Sequence, residues 1–269
     1  QLIYSDEFGQ FGGRPYGAII AAYEHNPKAS DMKLIQKIAG VSAVAHAPFI
    51  AGAAAEFFDI DSYSKFSRLR DLSSIFNQPA YIKWNSFQQS DDSRYVGLTL
   101  PSFLLRESYQ IEIGSLLYNE KIRDKETELV WGNSSFAFAT RLLDSFAQYR
   151  WCLNCTGQSA GQVQGLNMKE GRISTQFILT DRRESEVVKQ GFIPLSVHKG
   201  EDTAAFYSAY STHRVNTNDE QDAEDLSSRL SAQLPYLMII SRISQYLKVM
   251  QRENLGSWRN RRDLDQQLN

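Results

Sequence analysis

Two cysteines are the first residues whose spacing suggests chemistry. Cys152 and Cys155 are separated by two residues, as in many zinc and dithiol sites. A zinc site needs about four ligands, so one such pair requires closely spaced histidines elsewhere in the chain. The histidines are instead scattered, at His25, His46, His198 and His213. We therefore expect structural cysteines, no bound metal and no cofactor.

Carboxylates form the second candidate group. Asp91 and Asp92 are adjacent, and Asp181 precedes Glu184 by three residues. A hydrolase could use such side chains as general acid and base; this alternative predicts a closed pocket with converging polar groups and shifted pKa values. The other interpretation is surface and capping residues, with Asp181 as a helix cap and Glu184 completing a capping box. We favour this second interpretation, and no catalytic residue is assigned.

Composition restricts the class of protein. The chain has 269 residues, of which 42% are hydrophobic and 22% charged, with a formal net charge of -2. Such a chain can bury a substantial core, which excludes extensive intrinsic disorder. The near-neutral charge gives no general attraction to nucleic acid or acidic membranes. No apolar run reaches the roughly 20 residues of a membrane-spanning helix, so we expect neither nucleic-acid binding nor membrane insertion.

The beginning of the chain has the pattern of an α/β unit. Gly17 to Tyr23 is a short apolar run typical of a buried strand, and Pro48 opens a second one. Between them, apolar residues recur at helical spacing after Ser30 or Asp31, either of which could cap the helix. A strand, a helix and a strand within about 35 residues indicate a parallel crossover. We predict an α/β fold, or a mixed α+β fold, with a sheet flanked by helices.

Later elements follow from similar patterns. We expect short helices over 71–76 and 79–89, strands over 94–100, from 151 and over 174–179, a charged surface excursion over 107–128 and a polar loop over 156–165. A helix capped by Asn133 or Ser134 has an apolar stripe of Phe136, Ala139, Leu143, Phe146 and Ala147. A long helix near the C-terminal end has a stripe of Leu237, Ile240, Ile243, Leu247 and Met250.

These patterns divide the chain into three parts. Residues 1–150 are predicted to form an α/β lobe. Residues 151–225 are predicted to form a β-rich second part with exposed loops, ending in the polar and acidic stretch 212–225. Residues 226–269 are predicted to be a helical segment.

Six stretches of the sequence together resemble one known family. They are EFGQFGGRPYG (Glu7 to Gly17), AHAPFI (Ala45 to Ile50), SDDSRYVGLTLPSFLLR (Ser90 to Arg106), FAFATRLLDSFAQYRWC (Phe136 to Cys152), TDRRESEVVKQGFIPL (Thr180 to Leu195) and QLPYLMIISRISQYLKVMQRENLGSW (Gln233 to Trp258). In this order, and over nearly the whole chain, they resemble the large sheath subunit of the bacterial type VI secretion system, called TssC or VipB.

The resemblance implies a structural function without catalysis. A TssC-like subunit pairs with a TssB/VipA-like small subunit, and the pairs polymerise in the cytoplasm into a helical sheath around a tube of Hcp rings. Contraction of the sheath drives the tube and its spike through the envelope, and a ClpV-type AAA+ ATPase disassembles the contracted form. Family chains are longer at both ends. The resemblance therefore implies an internal fragment lacking both terminal regions, which by itself is soluble and forms no sheath.

Two charged clusters are candidate contacts in such an assembly, because complementary charges on neighbouring subunits set register. The acidic cluster comprises Asp219, Asp222, Glu224 and Asp225. The basic cluster comprises Arg259, Arg261 and Arg262. A basic helix end is also compatible with nucleic-acid binding, but the balanced charge of the chain argues against that use.

Overall fold

The computed structural model of the chain describes residues 16–69, 71–106, 108–113, 116–123, 128–167, 175–197, 203–214 and 229–253. Its strands are β1 (Ile19–His25), β2 (Phe49–Ala53), β3 (Val96–Leu100), β4 (Phe103–Arg106), β5 (Gln110–Ile113), β6 (Leu116–Asn119), β7 (Val130–Gly132), β8 (Gln162–Asn167), β9 (Phe192–Pro194) and β10 (Thr203–Ala205). Its α-helices are α1 (Ala29–Ala45), α2 (Leu72–Phe76), α3 (Ile82–Gln88), α4 (Ser134–Tyr149), α5 (Asp181–Lys189) and α6 (Leu234–Glu253). Within these ranges no helix is both long and apolar enough to cross a bilayer.

Four parallel strands form the central sheet, in the order β1, β2, β3, β9. Phe49 of β2 pairs with Ile19 of β1 and with Val96 of β3, and Leu98 pairs with Phe192 of β9. Helix α1 connects β1 to β2, as the predicted crossover requires. The α/β fold class, with a sheet flanked by helices, is therefore confirmed. Strand β9 comes from the part of the chain between 151 and 225, so that part contributes to the same sheet.

Both faces of the sheet are covered, because side chains alternate along each strand and helices pack on either side. Phe49 and Leu98 point into the first core, which includes residues of α1, α3 and α5. Ile50 and Ile193 point into the second core, which includes residues of α4 and α6. All five residues of β2 and of β3 are buried, so the centre of the sheet is shielded from solvent on both faces.

Aromatic rings fill much of the first core. Trp84 stacks on Phe192 with ring centroids 5.7 Å apart, and Phe57 packs against both rings at 4.8 and 5.4 Å. Tyr81 and Phe87, three residues to either side of Trp84, are also buried. Large rings of this kind contribute much of the burial free energy of a domain. The predicted short helices over 71–76 and 79–89 are confirmed as α2 and as a 3₁₀ turn leading into α3.

Helix α1 starts differently from the prediction. Its N-cap residue is Lys28, and no side chain caps the helix, so the expected cap at Ser30 or Asp31 was wrong. The buried carboxylate of Asp31 accepts a hydrogen bond from the backbone nitrogen of Asn26 at 3.1 Å. It therefore stabilises the turn that precedes the helix, where a backbone donor would otherwise be unpaired.

Antiparallel pairs surround the central sheet, and several local predictions fail there. Strands β5 and β6 pair within 107–128, where a charged surface excursion was expected, so this excursion contains a hairpin. Strand β8 pairs with β10 and begins inside the loop expected over 156–165. No strand begins at Trp151, because the chain is irregular there after Arg150 ends α4 with a φ of 64°. Such short, partly polar strands depend on distant partners, which a local pattern does not reveal.

Two further segments are only partly as predicted. Within 174–179, Thr175 forms a single bridge to Phe103 and no regular strand is present in the described part. Helix α5 begins at Asp181 after the N-cap residue Thr180, so the expected cap at Asp181 was wrong. Glu184 is buried and accepts a hydrogen bond from Ser196 Oγ at 2.7 Å. It thus connects α5 to the segment that follows β9.

Candidate functional site

The two cysteines have the properties of packing residues. Cys155 is fully buried, and burial, together with the neighbouring Cys152, raises its pKa to about 12. Burial also raises the pKa of Cys152, although Arg242 acts in the opposite direction. Thiols with raised pKa values are weak ligands and nucleophiles. Among the described residues, no group of three or more His, Cys, Asp or Glu side chains could hold a metal.

The carboxylates of the hydrolase hypothesis lie on the surface. Asp91 and Asp92 are exposed in the 3₁₀ turn Asp91–Tyr95, and Asp91 lies 3.4 Å from Arg94. Asp181 is exposed in the first turn of α5. None of the three lines the cleft described below. The geometry therefore gives the hydrolase hypothesis no support.

A serine in the pattern G-x-S-x-G is also present, as Ser159 between Gly157 and Gly161. In α/β-hydrolases this pattern forms a sharp turn from a strand into a helix. Here it follows irregular chain and precedes strand β8, and Ser159 is exposed. Gly161 is instead explained by packing, because a Cβ atom there would collide with the backbone oxygen of Phe206.

The described histidines have structural surroundings. His25 is buried against the rings of Tyr23 and Phe49, with centroid distances of 4.7 and 5.8 Å. The Nδ1 atoms of the other two lie near hydroxyl groups: that of His46 is 3.3 Å from the Tyr95 hydroxyl, and that of His213 is 3.0 Å from Ser93 Oγ. Burial lowers the pKa of all three imidazoles, which favours their neutral forms. His198 lies outside the described residues.

All of the predicted assembly contacts lie outside the described residues. They are Asp219, Asp222, Glu224, Asp225, Arg259, Arg261 and Arg262. Their role stays a prediction. The described residues present a different candidate surface, which the two amphipathic helices of the second core form together.

Helix α4 buries a partly polar side and exposes apolar residues. Asn133 caps it by accepting a hydrogen bond from the backbone nitrogen of Ser135 at 2.9 Å, as predicted. Phe138 packs in the second core, but Leu143, in the predicted apolar stripe, is 67% exposed. Phe136 and Phe146 of the same stripe are exposed as well. The apolar stripe of α4 therefore faces away from the sheet.

Helix α6 has two apolar sides. Its inner side packs into the second core through Leu234, Leu237 and Met238. Its outer side exposes Tyr236, Ile240, Ile243 and Leu247. Their spacing of four, three and four residues places them on one face of the helix. We call the exposed residues Phe136, Leu143, Phe146, Tyr236, Ile240, Ile243 and Leu247 the α4–α6 surface.

A shallow cleft lies between the two helices. It encloses about 310 Å³ of empty space, including space open to solvent, and Phe146, Arg150, Arg242 and Gln245 are among its lining residues. The guanidinium carbon of Arg242 lies 6.0 Å from the centroid of the Phe146 ring, so α4 and α6 approach each other here. Arg150 and Arg242 have no carboxylate within 4.0 Å in the described part of the chain. The cleft is therefore positively charged.

The hairpin of β5 and β6 forms a second exposed feature. Its base is closed by Arg106, whose guanidinium donates two hydrogen bonds to the Glu120 carboxylate at 2.7 and 3.0 Å and lies 4.2 Å from the Tyr109 ring centroid. The Arg106 hydrogen bonds, with help from the backbone nitrogen of Tyr109, lower the pKa of Glu120 to about 2. Leu117 is 74% exposed. The hairpin thus has a fixed base and exposes the apolar side chain of Leu117.

An arrangement of this kind is suited to protein contacts rather than to catalysis. It offers exposed apolar helix faces and two arginines that have no carboxylate within 4.0 Å among the described residues. An enzyme site instead needs an enclosed pocket with converging polar groups. Exposed apolar faces are typical of surfaces that take part in contacts with further protein.

Comparisons with known proteins agree with this interpretation. The VipB family model for the EvpB/VC_A0108 tail sheath N-terminal domain matches residues 1–213, and the model for the tail sheath gpW/gp25-like domain matches residues 223–269. A relative named type VI secretion system sheath protein TssC1, from Pseudomonas aeruginosa, is 35% identical over 280 residues. That alignment covers 99% of this chain and 56% of the relative, so the chain spans about half of the relative's length. The chain belongs to the VipB family of tail sheath proteins.

Proposed function

We propose that this chain is part of the large structural subunit of a type VI secretion sheath. In this proposal it pairs with a TssB/VipA-like small subunit in the cytoplasm, and the pairs build a helical sheath around a tube of Hcp rings. Contraction of the sheath propels the tube, and a ClpV-type AAA+ ATPase disassembles the contracted sheath. The chain works by changing its contacts with other subunits, and its side chains make or break no covalent bond.

One observation carries the proposal: sheath family models match residues 1–213 and 223–269 of this chain. The alignment with the TssC1 sheath protein agrees with it, because that alignment covers 99% of the chain. The described fold is consistent with it. A contractile polymer requires subunits that stay rigid while their packing alternates between two arrangements. A sheet with both faces buried supplies the rigid body, and the exposed apolar helices supply surfaces for contact.

Secretion provides a test in cells. Deletion of the gene is expected to abolish release of the Hcp tube protein into the medium, and a plasmid copy is expected to restore it. A variant in which Asp91, Asp92 and Asp181 are all replaced by Asn serves as the comparison for the hydrolase hypothesis. We expect this variant to restore release fully. Normal release without the gene would contradict the proposal, and a folded triple variant that fails to restore release would favour the hydrolase.

A further inference from the structure

The cleft between α4 and α6 has a lining that is rich in hydrogen-bond donors. Arg150 and Arg242 carry N–H groups and no acceptor, and the indole of Trp151 is also a donor only. The side-chain oxygen of Gln245, which lines the cleft as well, already accepts a hydrogen bond from Arg242 at 3.2 Å. A group that binds here must therefore supply acceptors, and the two guanidinium groups favour one that is negatively charged.

The electrostatic balance of the described cleft is positive. Helices α1 and α4 both end beside it, at His46 and Arg150, and the C-terminal end of a helix carries roughly half a negative charge. Gln245 donates to the last carbonyl group of α1, which reduces the contribution of that end. Each guanidinium group contributes a full positive charge, and neither has a carboxylate within 4.0 Å among the described residues. A bound anion would neutralise the charge that remains.

Two residues that line the cleft have a backbone conformation that is unusual for their type. His46 has a φ of 50° and Arg150 a φ of 64°, and within the described ranges Asp59 is the one other residue besides glycine with a positive φ. Glycine adopts this conformation without a steric cost and is the common residue after a helix end. The side chain of Arg150 forms no hydrogen bond or ion pair with another described residue that would explain an arginine there. Strained residues of this kind cluster at binding sites.

We propose that the cleft binds a phosphate group, with Arg150 and Arg242 as its principal ligands. The tetrahedral oxygen atoms of phosphate accept hydrogen bonds from several directions, which suits guanidinium groups that come from the end of α4 and the middle of α6. A planar carboxylate is matched best by one guanidinium group alone. This binding is independent of the proposed function, because it requires only the side chains of the cleft.

Calorimetric titration with inorganic phosphate measures the binding directly. The complete gene product is titrated at constant ionic strength, with chloride as the balancing ion and acetate as the comparison. We expect saturable binding of phosphate that is about tenfold or more tighter than that of acetate, since phosphate accepts more charge-assisted hydrogen bonds. A parallel titration with adenosine monophosphate identifies the source: tighter binding indicates a phosphate ester, and equal or weaker binding the free ion. No binding above that of chloride, or equal binding of acetate, would overturn the inference.

Variants separate binding from stability. Arg150→Gly removes a guanidinium group but suits the φ of 64°. We therefore expect unchanged or higher thermal stability together with a loss of phosphate affinity of about tenfold or more. Arg242→Gln is expected to lose affinity to a similar extent. Arg68→Gln, at an exposed position in the 3₁₀ turn Tyr63–Arg68 beside the first core, is the control and is expected to bind phosphate as the wild type does. Wild-type affinity in folded Arg150→Gly would contradict the proposed site.

The thiol of Cys152 reports whether phosphate occupies this cleft. Cys152 lines it, and its pKa is raised by burial and lowered by Arg242. A bound anion would offset the charge of Arg242 and shield the thiol, so alkylation of Cys152 by iodoacetamide is expected to slow by roughly twofold or more at saturating phosphate. Chloride at the same ionic strength is expected to have no such effect, and the fully buried Cys155 controls for unfolding. Phosphate binding that leaves this rate unchanged would place the site elsewhere and overturn the inference.

Discussion

The side-chain amide of Gln245 donates a hydrogen bond to the carbonyl oxygen of Ala45 at 3.2 Å. The same nitrogen lies 3.2 Å from the carbonyl oxygen of His46 and 2.9 Å from that of Tyr16. Ala45 is the last residue of α1, and the last carbonyl groups of a helix have no partner within it. One buried side chain of α6 therefore satisfies the end of α1 and holds the two helices together.

Replacing Gln245 by leucine is expected to destabilise the chain. The substitution preserves most of the volume but removes the donor, so buried carbonyl groups lose their partner at a cost of about 1 to 3 kcal/mol. Urea unfolding of the two proteins measures the difference. Gln251→Leu, at an exposed position of the same helix, is the control and is expected to change stability by less than about 0.5 kcal/mol. Equal stability of Gln245→Leu and the wild type would show that these contacts contribute nothing.

Gly52 and Asn133 are expected to be energetically coupled. A Cβ atom at position 52 would lie 3.0 Å from the Cγ atom of Asn133, whose side chain caps α4. Gly52→Ala therefore displaces the cap, and loss of such a cap costs about 0.5 to 2 kcal/mol. In an Asn133→Ala background the same substitution is expected to cost clearly less. A double-mutant cycle measures this coupling, and strictly additive effects would contradict it.

The three described histidines predict how stability depends on pH. Their folded pKa values lie below the ordinary value of 6.5, so the unfolded chain binds protons first as the pH falls. Stability is therefore complete above about pH 6.5 and decreases below it. We expect a lower unfolding free energy at pH 5.5 than at pH 7.5, with a smaller decrease in His25→Leu. A flat profile in the wild type, or an unchanged slope in the variant, would contradict this assignment.

Glu120 is expected to titrate far below an ordinary glutamate. Its pKa is about 2, mainly because Arg106 donates hydrogen bonds to it. Carbon-detected NMR titration of the side-chain carboxyl group measures the midpoint directly. In Arg106→Gln the midpoint is expected to rise toward the ordinary value of 4.5. Because the folded pKa is depressed, any stabilisation from this pair is present above about pH 4.5 and is lost as the pH falls toward 2. A wild-type midpoint near 4.5 would show that the pair does not form.

The basic cluster gives a prediction for assembly. Reversal of Arg261 and Arg262 to Glu in the complete gene product is expected to reduce sheath formation, because complementary charges between subunits become repulsive. Sedimentation of assembled material measures the effect, with Lys83→Glu as a charge-reversal control. Unchanged assembly and contraction would remove this cluster from the list of candidate contacts.

The central sheet could be predicted from sequence because β1 and β2 are short apolar runs with a helical pattern between them. The direction of α4 could not be predicted. Its buried side contains Ser135, which donates a hydrogen bond to the carbonyl oxygen of Ala21 at 2.9 Å, and Ser145, which donates to that of Trp151 at 2.7 Å. These partners exist only in the folded chain. A periodic pattern reveals that a helix has an apolar stripe, but not whether the stripe faces its own core or another protein.

The family assignment and the candidate surface depend on different signals. Six stretches in register were sufficient for the family, and the comparisons confirm it. The α4–α6 surface requires exposure to be known for each residue. Leu143 and Phe138, for example, are both apolar and lie on the same helix, yet only Phe138 is buried.

Electron microscopy of the complete gene product co-expressed with the proposed TssB-like small subunit tests the central claim most directly. The account predicts hollow tubules that contain both proteins and that are absent when either protein is expressed alone. Discrete particles without tubules, in preparations where both proteins are folded and abundant, would contradict it.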